Sequence, residues 1–297
     1  MGIVYNDDLP VITAGTLNMN YLNGEFWQAS LQLANKPKHN FSYQYFLKNK
    51  DGETIREWGN DKTIHFSPKN NDDIIVVDTW NHAGEYENVF YSAPFQSILL
   101  KTHRPKIKSR TPAITTHIFK VKAPLLHKNE VACVIGSVAA LGKWSTMHPL
   151  LMTKKNNWWM VDVDLSAEAL PVVYKYGVYN IKEEKFVHFE NGANRMLIAG
   201  AEKEKTIILH DGFIRLPNST WKGAGVAIPV FGLRSKKSFG VGEFNDLKLL
   251  VDWANKTGLK LIQILPVNDT NSTHKRTDSN HNEVITEFEI HPINIQH

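Results

Sequence analysis

The sequence predicts a mainly β protein: two tandem Ig-like β-sandwiches followed by an incomplete α/β segment. Short apolar runs of period two, bounded by turn signals such as Asn49-Lys-Asp-Gly52 and Asn191-Gly-Ala-Asn194, fill the first two hundred residues. These runs recur at a nearly constant offset of about 131 residues, which marks an internal repeat. Beyond Trp221 the period changes to that of a helix leading into a continuous apolar strand. With 297 residues, 42% of them hydrophobic, 18 Gly, 13 Pro and one Cys, the chain can bury more than one core and is neither collagenous nor a disulfide scaffold.

The first module spans 1–102. In it, Trp27, Ala29, Leu31 and Leu33 alternate as Trp159, Val161, Val163 and Leu165 do in the second module at 114–208. Phe41-Ser-Tyr-Gln-Tyr-Phe46 likewise matches Val172-Val-Tyr-Lys-Tyr-Gly177. The aromatics Trp58 and Phe189 follow the first Tyr of each pair at equal distance, so the two are taken as equivalent. The first module has fewer residues ahead of its alternating Trp strand than the second, so it is expected to lack its opening strand. Trp27 and Trp159, on alternating positions, and Trp253, on a helical apolar position, are read as core; Trp80, Trp158 and Trp221 follow no pattern and are read as structural. Cys133, inside Val131-Ala-Cys-Val-Ile135, reads as a buried inert thiol.

Between the modules, 103–113 forms a basic linker interrupted by Pro105 and Pro112, read as a solvated connection in preference to a polyanion site. Elsewhere the two signs of charge are interspersed and the net charge is +4, so no nucleic-acid partner is expected. No run approaches the length of a membrane-spanning helix, so no membrane partner is expected, and without a secretory leader a cytoplasmic location is expected. The third segment, 209–297, reads as the start of a barrel. A helix opens near Gly242-Glu-Phe-Asn-Asp-Leu247 and closes at Gly258, the strand Leu259–Leu265 ends at Pro266, and one weak strand lies near Val284–Ile290. His274, His281, His291 and His297 have no ligand spacing, so no metal is expected.

Trp144 stands apart. It lies in Ala140-Leu-Gly-Lys-Trp-Ser-Thr146, a turn-like run of small residues, where an indole is either a stacking platform for a ligand or an anchor for the loop.

The second module resembles the starch-binding domains of carbohydrate-binding module family 20. The resemblance rests on Gly136-Ser-Val-Ala-Ala-Leu-Gly-Lys-Trp144, Tyr174-Lys-Tyr176 and Phe189-Glu-Asn-Gly-Ala-Asn-Arg195. It implies an α-1,4-glucan site made of Trp144, Lys175 and Phe189, with Glu190 and Asn194 as hydroxyl partners; Phe189 stands where the family has Trp. The first module has Trp58 near the stacking position, Gln44 at the Lys position and no Leu-Gly-x-Trp turn.

The third segment resembles the start of glycoside hydrolase family 77, the amylomaltase or disproportionating-enzyme family. It does so through Gly225-Val-Ala-Ile-Pro-Val-Phe-Gly-Leu-Arg-Ser-Lys-Lys-Ser-Phe-Gly-Val-Gly-Glu-Phe-Asn-Asp-Leu247 and Leu261-Ile-Gln-Ile-Leu-Pro-Val-Asn-Asp-Thr270. Two starch-binding modules ahead of such a barrel is the layout of disproportionating-type 4-α-glucanotransferases. The resemblance implies a retaining double displacement with no cofactor and no metal. Asp269, Asp278, Glu283, Glu287 and Glu289 match none of the family's carboxylates, and after Asp278-Ser279 the family's Tyr-Pro-Tyr-Ser run is replaced, so no catalytic residue is assigned. The expectation is therefore the N-terminal portion of a 4-α-glucanotransferase. It should bind starch, glycogen or maltooligosaccharide without catalysing alone. The alternative is a stand-alone glucan-binding protein. A third reading, phosphate or nucleic acid at Arg234-Ser-Lys-Lys237 and Gly240-Val-Gly242, lacks the third glycine, at Asn245, and is disfavoured.

Overall fold

The computed structural model describes residues 1–7, 15–24, 26–32, 40–66, 73–101, 107, 112–198, 200, 205–217, 220–265 and 290–292. Leu33, most of the basic linker, the five acids from Asp269 to Glu289, and His274, His281 and His297 lie outside the described residues. The chain divides into two compact units: Met1–Tyr91 with Thr102–Ser219, and Ser92–Lys101 with Thr220–His297.

The first unit opens with β1 (Gly2–Asp7), β2 (Gly15–Asn18), β3 (Asn20–Tyr21), β4 (Trp27–Gln28), β5 (Phe41–Lys48), β6 (Thr54–Arg56), β7 (Thr63–Ile64) and β8 (Asp73–Asp78). It continues with β9 (His117–Lys122), β10 (Glu130–Gly136), β11 (Leu150–Leu151), β12 (Thr153–Lys155), β13 (Trp158–Val163), β14 (Val172–Asn180), β15 (Lys185–Phe189), β16 (Arg195–Leu197) and β17 (Lys205–Phe213). Two sheets repeat one scheme. In the first module the order is β2-β1-β5-β6, with β7 also on β5; in the second it is β11-β10-β14-β15, with β16 also on β14. The registers correspond as well, since Val4 pairs with Gln44 as Ile135 pairs with Lys175.

The remaining sheet is shared. Its order is β12-β13-β9-β17-β8, so the last strand of the first module runs parallel to the last strand of the second, with Ile207 opposite Ile75 and His210 opposite Asp78. Because side chains alternate across a strand, this sheet serves two cores. Phe119, Val121, Trp159, Val161, Ile207 and Leu209 join Val134, Tyr174 and Tyr176 of the second module in one cluster. Ile118 and Ile208 join Phe41, Tyr43, Tyr45 and Ile64 of the first module in the other. Every residue of β9 is buried, as expected for a strand covered on both faces.

The mainly β class, with two tandem β modules and an α/β tail, is therefore present. The two modules share one sheet, the middle of three β layers, and both fall within one compact unit. The described residues of the first module include no counterpart of β9. The edge of β8 where that strand would pair is occupied by β17. Trp27 changes with this arrangement. Its strand has only two residues, paired with β3 and not with the shared sheet, and the indole is 42% exposed against Tyr21. The expected core position of Trp27 does not exist, because the middle layer is built by β13, β9 and β17.

In the second unit, β18 (Gly225–Ile228) and β19 (Leu261–Ile264) are parallel and joined through α1 (Asp246–Thr257), and β20 (Ile290–Pro292) adds antiparallel to β19. The Asp246 carboxylate accepts the Glu243 N–H at 2.9 Å and the Ser238 hydroxyl at 2.7 Å, fixing the helix start. Gly258 ends it in the left-handed conformation at φ 77°, as the sequence predicts. Ala254 and Ile262 form the core with Val226, Leu250, Leu259 and Ile264. Trp253, expected in that core, is 50% exposed: it falls on the side of α1 away from the sheet residues that bury Ala254.

Candidate functional site

The Leu-Gly-Lys-Trp turn is the most unusual piece of backbone in the second module. It leaves β10 after Gly136 and forms a 3-10 turn over Ala139–Trp144. Gly142, Lys143 and Trp144 all have positive φ, at 79°, 47° and 61°. Two of these carry side chains, and each such residue costs about 1–2 kcal/mol. The turn is held from below. Leu141 is fully buried, the Lys143 N–H donates to Val138 O at 3.0 Å, the Ser145 N–H to Gly142 O at 2.9 Å, and the Ala140 N–H to the Glu168 carboxylate at 2.8 Å. The result is an indole 37% exposed on a rigid turn. Of the two readings the sequence leaves open for Trp144, presentation to solvent is the one this exposure matches; the buried anchor of the loop is Leu141.

Lys175 lies on β14 one residue beyond Tyr174, which pairs with Gly136 on β10 and with Arg195 on β16. The Trp144 turn and the 190–195 turn therefore leave from the same level of β14, on either side of Lys175. The Lys175 ammonium donates to Gly192 O at 2.6 Å, tying that turn to the strand. Phe189 pairs opposite Gly177 and so shares the outer face with Lys175; its ring lies 4.6 Å from that of Phe186. Asn194 is exposed in the same turn.

Glu190 does something other than the hydroxyl contact the resemblance implies. It is 4% exposed, and its carboxylate accepts the Tyr176 N–H at 3.1 Å and two Arg195 N–H groups at 3.0 and 2.9 Å. Arg195 in turn lies over the Tyr176 ring at 5.1 Å and donates to Asp211 O at 2.9 Å. The carboxylate is turned inward, where Arg195 neutralises its charge, and it positions the turn.

The first module contains the same device. Glu57 accepts the Tyr45 N–H at 3.0 Å and pairs with Lys62 at 2.6 Å, and Gln44 donates to Gly59 O at 2.7 Å as Lys175 does to Gly192 O. Glu57 is thus the counterpart of Glu190, which makes Trp58 the counterpart of Asn191 and not of Phe189. The hairpin after β14 is longer by two residues and carries a bulge at Val178/Tyr179, so equal spacing from the first Tyr misaligns the two copies.

Sequence reasoning also missed the anchor of each Tyr-x-Tyr strand. Tyr174 and Tyr176 hydroxyls both donate to Asp211, at 2.8 and 2.7 Å, and Tyr43 and Tyr45 hydroxyls both donate to Asp78, at 2.8 and 2.7 Å. Burial would raise the Asp78 carboxyl, but the His210 N–H and the neighbouring Lys62 and Tyr45 outweigh it and hold the group at about 2. Burial pushes His210 down while Asp78, whose carboxylate lies 2.5 Å from its Nδ1, opposes that shift. The signal for these clamps was present: an Asp closes a short continuous apolar run in both copies, Ile74-Ile-Val-Val-Asp78 and Ile207-Ile-Leu-His-Asp211.

Among the described residues no cluster of His, Cys, Asp and Glu suited to a metal ion occurs, and no helix is long and apolar enough to cross a membrane.

Comparison with known proteins follows the same division. A family model described as a starch binding domain matches residues 115–208, and one described as 4-alpha-glucanotransferase matches residues 228–296. The rice (Oryza sativa subsp. japonica) 4-alpha-glucanotransferase DPE2 is 31% identical over 267 residues, covering 84% of this chain and 28% of the rice protein. A Chlamydia trachomatis 4-alpha-glucanotransferase is 48% identical over 48 residues, which are 16% of this chain and 9% of that protein. The family 20 module of a maltotetraose-forming amylase from Pseudomonas saccharophila aligns at a TM-score of 0.27 with 19% identity, covering 31% of this chain and 97% of that one. The chain thus spans about a quarter of the length of its rice relative.

Proposed function

We propose that this chain, whose residues 115–208 match the starch binding domain model and whose residues 228–296 match the 4-alpha-glucanotransferase model, is the glucan-holding part of a 4-α-glucanotransferase of the amylomaltase-like type. Its second module docks α-1,4-glucan (starch, glycogen or maltooligosaccharide), and transfer is the work of a longer protein, of which the chain spans the share seen in the rice relative.

One observation carries this reading: Trp144 is offered to solvent by two consecutive left-handed residues with side chains. Backbone strain of this kind persists only where the surroundings enforce it, and here it points a flat apolar ring outward beside hydrogen-bonding groups. A glucose unit stacks its C–H face on the indole while Lys175 and Asn194 meet its hydroxyls. Phe189 supplies a smaller second face on the same side of the sheet.

Affinity electrophoresis in amylose or glycogen tests the assignment. The native chain should be retarded, with a dissociation constant between about 1 μM and 1 mM, or roughly −8 to −4 kcal/mol. Trp144→Ala should weaken retention at least tenfold with an unchanged melting temperature. Lys175→Ala should weaken it about threefold, because the exposed ammonium contributes little alone. A Trp144→Ala protein that stays folded and still binds fully removes the assignment. On the catalytic side, the purified chain should release no glucose from maltose with glycogen as acceptor, and detectable release would return chemistry to these 297 residues.

A further inference from the structure

Between the two modules, inside the first unit, lies a cavity of about 220 Å³. It lies at the end of the shared sheet and away from the Trp144 turn, none of whose residues lines it. Trp58 and Trp80 of the first module line it, both half-buried, together with Trp158 and Phe213 of the second. Its deepest group is Lys122, buried at the end of β9. The ammonium pairs with Asp61 at 2.8 Å and lies 4.7 Å from the Trp158 ring centre, 5.1 Å from Tyr91 and 5.7 Å from Phe213.

The lining carries five carboxylates and four cations, so no cation is in excess. Lys62 is held by Glu57, Lys122 by Asp61, and Arg195 lies 3.9 Å from Asp211. Arg215 shares the lining with Glu85 and Glu87. A phosphorylated or carboxylated ligand would meet cations already neutralised by carboxylates and would gain little from them. A neutral polyol is different: its hydroxyls both donate and accept, so they match a wall of paired carboxylates and amines, while its C–H faces match indole. The volume equals about seven water molecules at roughly 30 Å³ each, which suits one hexose ring and not a run of several.

We propose that this inter-module cavity is a second glucan site that takes a single neutral hexose unit, with Trp58 as one of its aromatic walls. The inference rests on the reading of the chain as a glucan binder, but on different residues from the Trp144 platform. An internal stretch of glucan lies across the exposed Trp144 face, and one unit enters the cavity. It also gives Trp58 a role that its corrected place in the repeat, opposite Asn191, would not supply.

The test is calorimetric titration of the full chain with maltotriose, using the native protein and the Trp144→Ala, Trp58→Ala and doubly substituted variants. Melting curves for each establish folding. The native chain should bind at two sites, each single variant should keep one, and the double variant none. Trp58→Ala should weaken the cavity site at least tenfold and leave the other within twofold. If Trp144→Ala alone abolishes all binding, the cavity proposal is overturned while the reading of the chain as a glucan binder stands. If Trp58→Ala alone abolishes it, the cavity stands and the Trp144 assignment falls. Full binding by the double variant overturns both. Should Trp58→Ala fail to fold, Arg215→Ala at the exposed lining takes its place with the same outcomes. Inorganic phosphate is the counter-probe: displacement of maltotriose by millimolar phosphate would show an anion site and overturn the neutral-sugar assignment.

Discussion

At the scale of single residues, the second module separates presentation from support. Trp144 and Asn194 reach solvent, whereas Glu190, two residues from Gly192, is spent on Arg195 and the Tyr176 N–H. A sequence motif cannot make this distinction, because a carboxylate in a polar turn looks the same whether it faces sugar or faces inward. Structure makes it by counting partners: Glu190 has three and is buried. Glu190→Gln keeps the oxygen that accepts the Tyr176 N–H but leaves Arg195 with only the more distant Asp211, at 3.9 Å, as a charge partner. Breaking a buried pair on one side costs about 3 kcal/mol. The expected outcome is a clear fall in melting temperature, with glucan affinity of the folded protein within twofold of native at 10 °C. A tenfold loss of affinity at that temperature, with melting unchanged, would restore Glu190 to the sugar contact.

At the scale of elements, the strands of the second module were legible because alternation and turn chemistry agree there: β13, β14 and the hairpin turns fall where period two and Asn or Gly place them. The helix α1 was legible through its 3.6 period and Gly258. The strand at Trp27 was not, since alternation predicts a half-buried strand but does not say which sheet will accept it. The equivalence of Trp58 and Phe189 failed for a related reason, because hairpin length varies between copies while the paired Glu does not. The Trp144 turn depends on a position the sequence does display, Gly136. A Cβ added there would come within 2.7 Å of both the Leu141 side chain and Val173 O. One of these neighbours is backbone and cannot yield, so Leu141 must move, and the strained turn above it moves too. Gly136→Ala should lower stability by about 1–3 kcal/mol, the usual range for overpacking. It should also reduce glucan retention more than that loss accounts for, as measured on the folded fraction. Gly24→Ala, where an added Cβ meets nothing within 4 Å, is the control.

At the scale of the first unit, the central point is that one sheet closes two cores. The repeat suggested two modules, the first without its opening strand, but similarity reports what is duplicated and not which strand of the other copy fills the gap. With no counterpart of β9 among its described residues, the first module has a single full sheet, and its Tyr43 and Tyr45 reach across to Asp78 on the shared layer. Asp211, on β17 of the same layer, repeats that clamp for Tyr174 and Tyr176. Ile208 is where this architecture can be tested. It belongs to the second module by sequence, yet it packs with Phe41, Tyr43 and Tyr45 of the first and is 1% exposed. Ile208→Ala removes buried volume in that core and should cost about 2–5 kcal/mol. If the layers form one cooperative body, hydrogen exchange should show amides of β5 and of β14 losing protection together, and heating should give a single earlier transition for both. Independent modules would behave otherwise: β14, whose own core contains Tyr174 and Tyr176 but not Ile208, would keep its native protection while β5 opened. Persistence of native exchange rates in β14 alongside accelerated exchange in β5 would therefore refute the shared-sheet account. It would also separate the two walls of the inter-module cavity, which needs both modules folded at once.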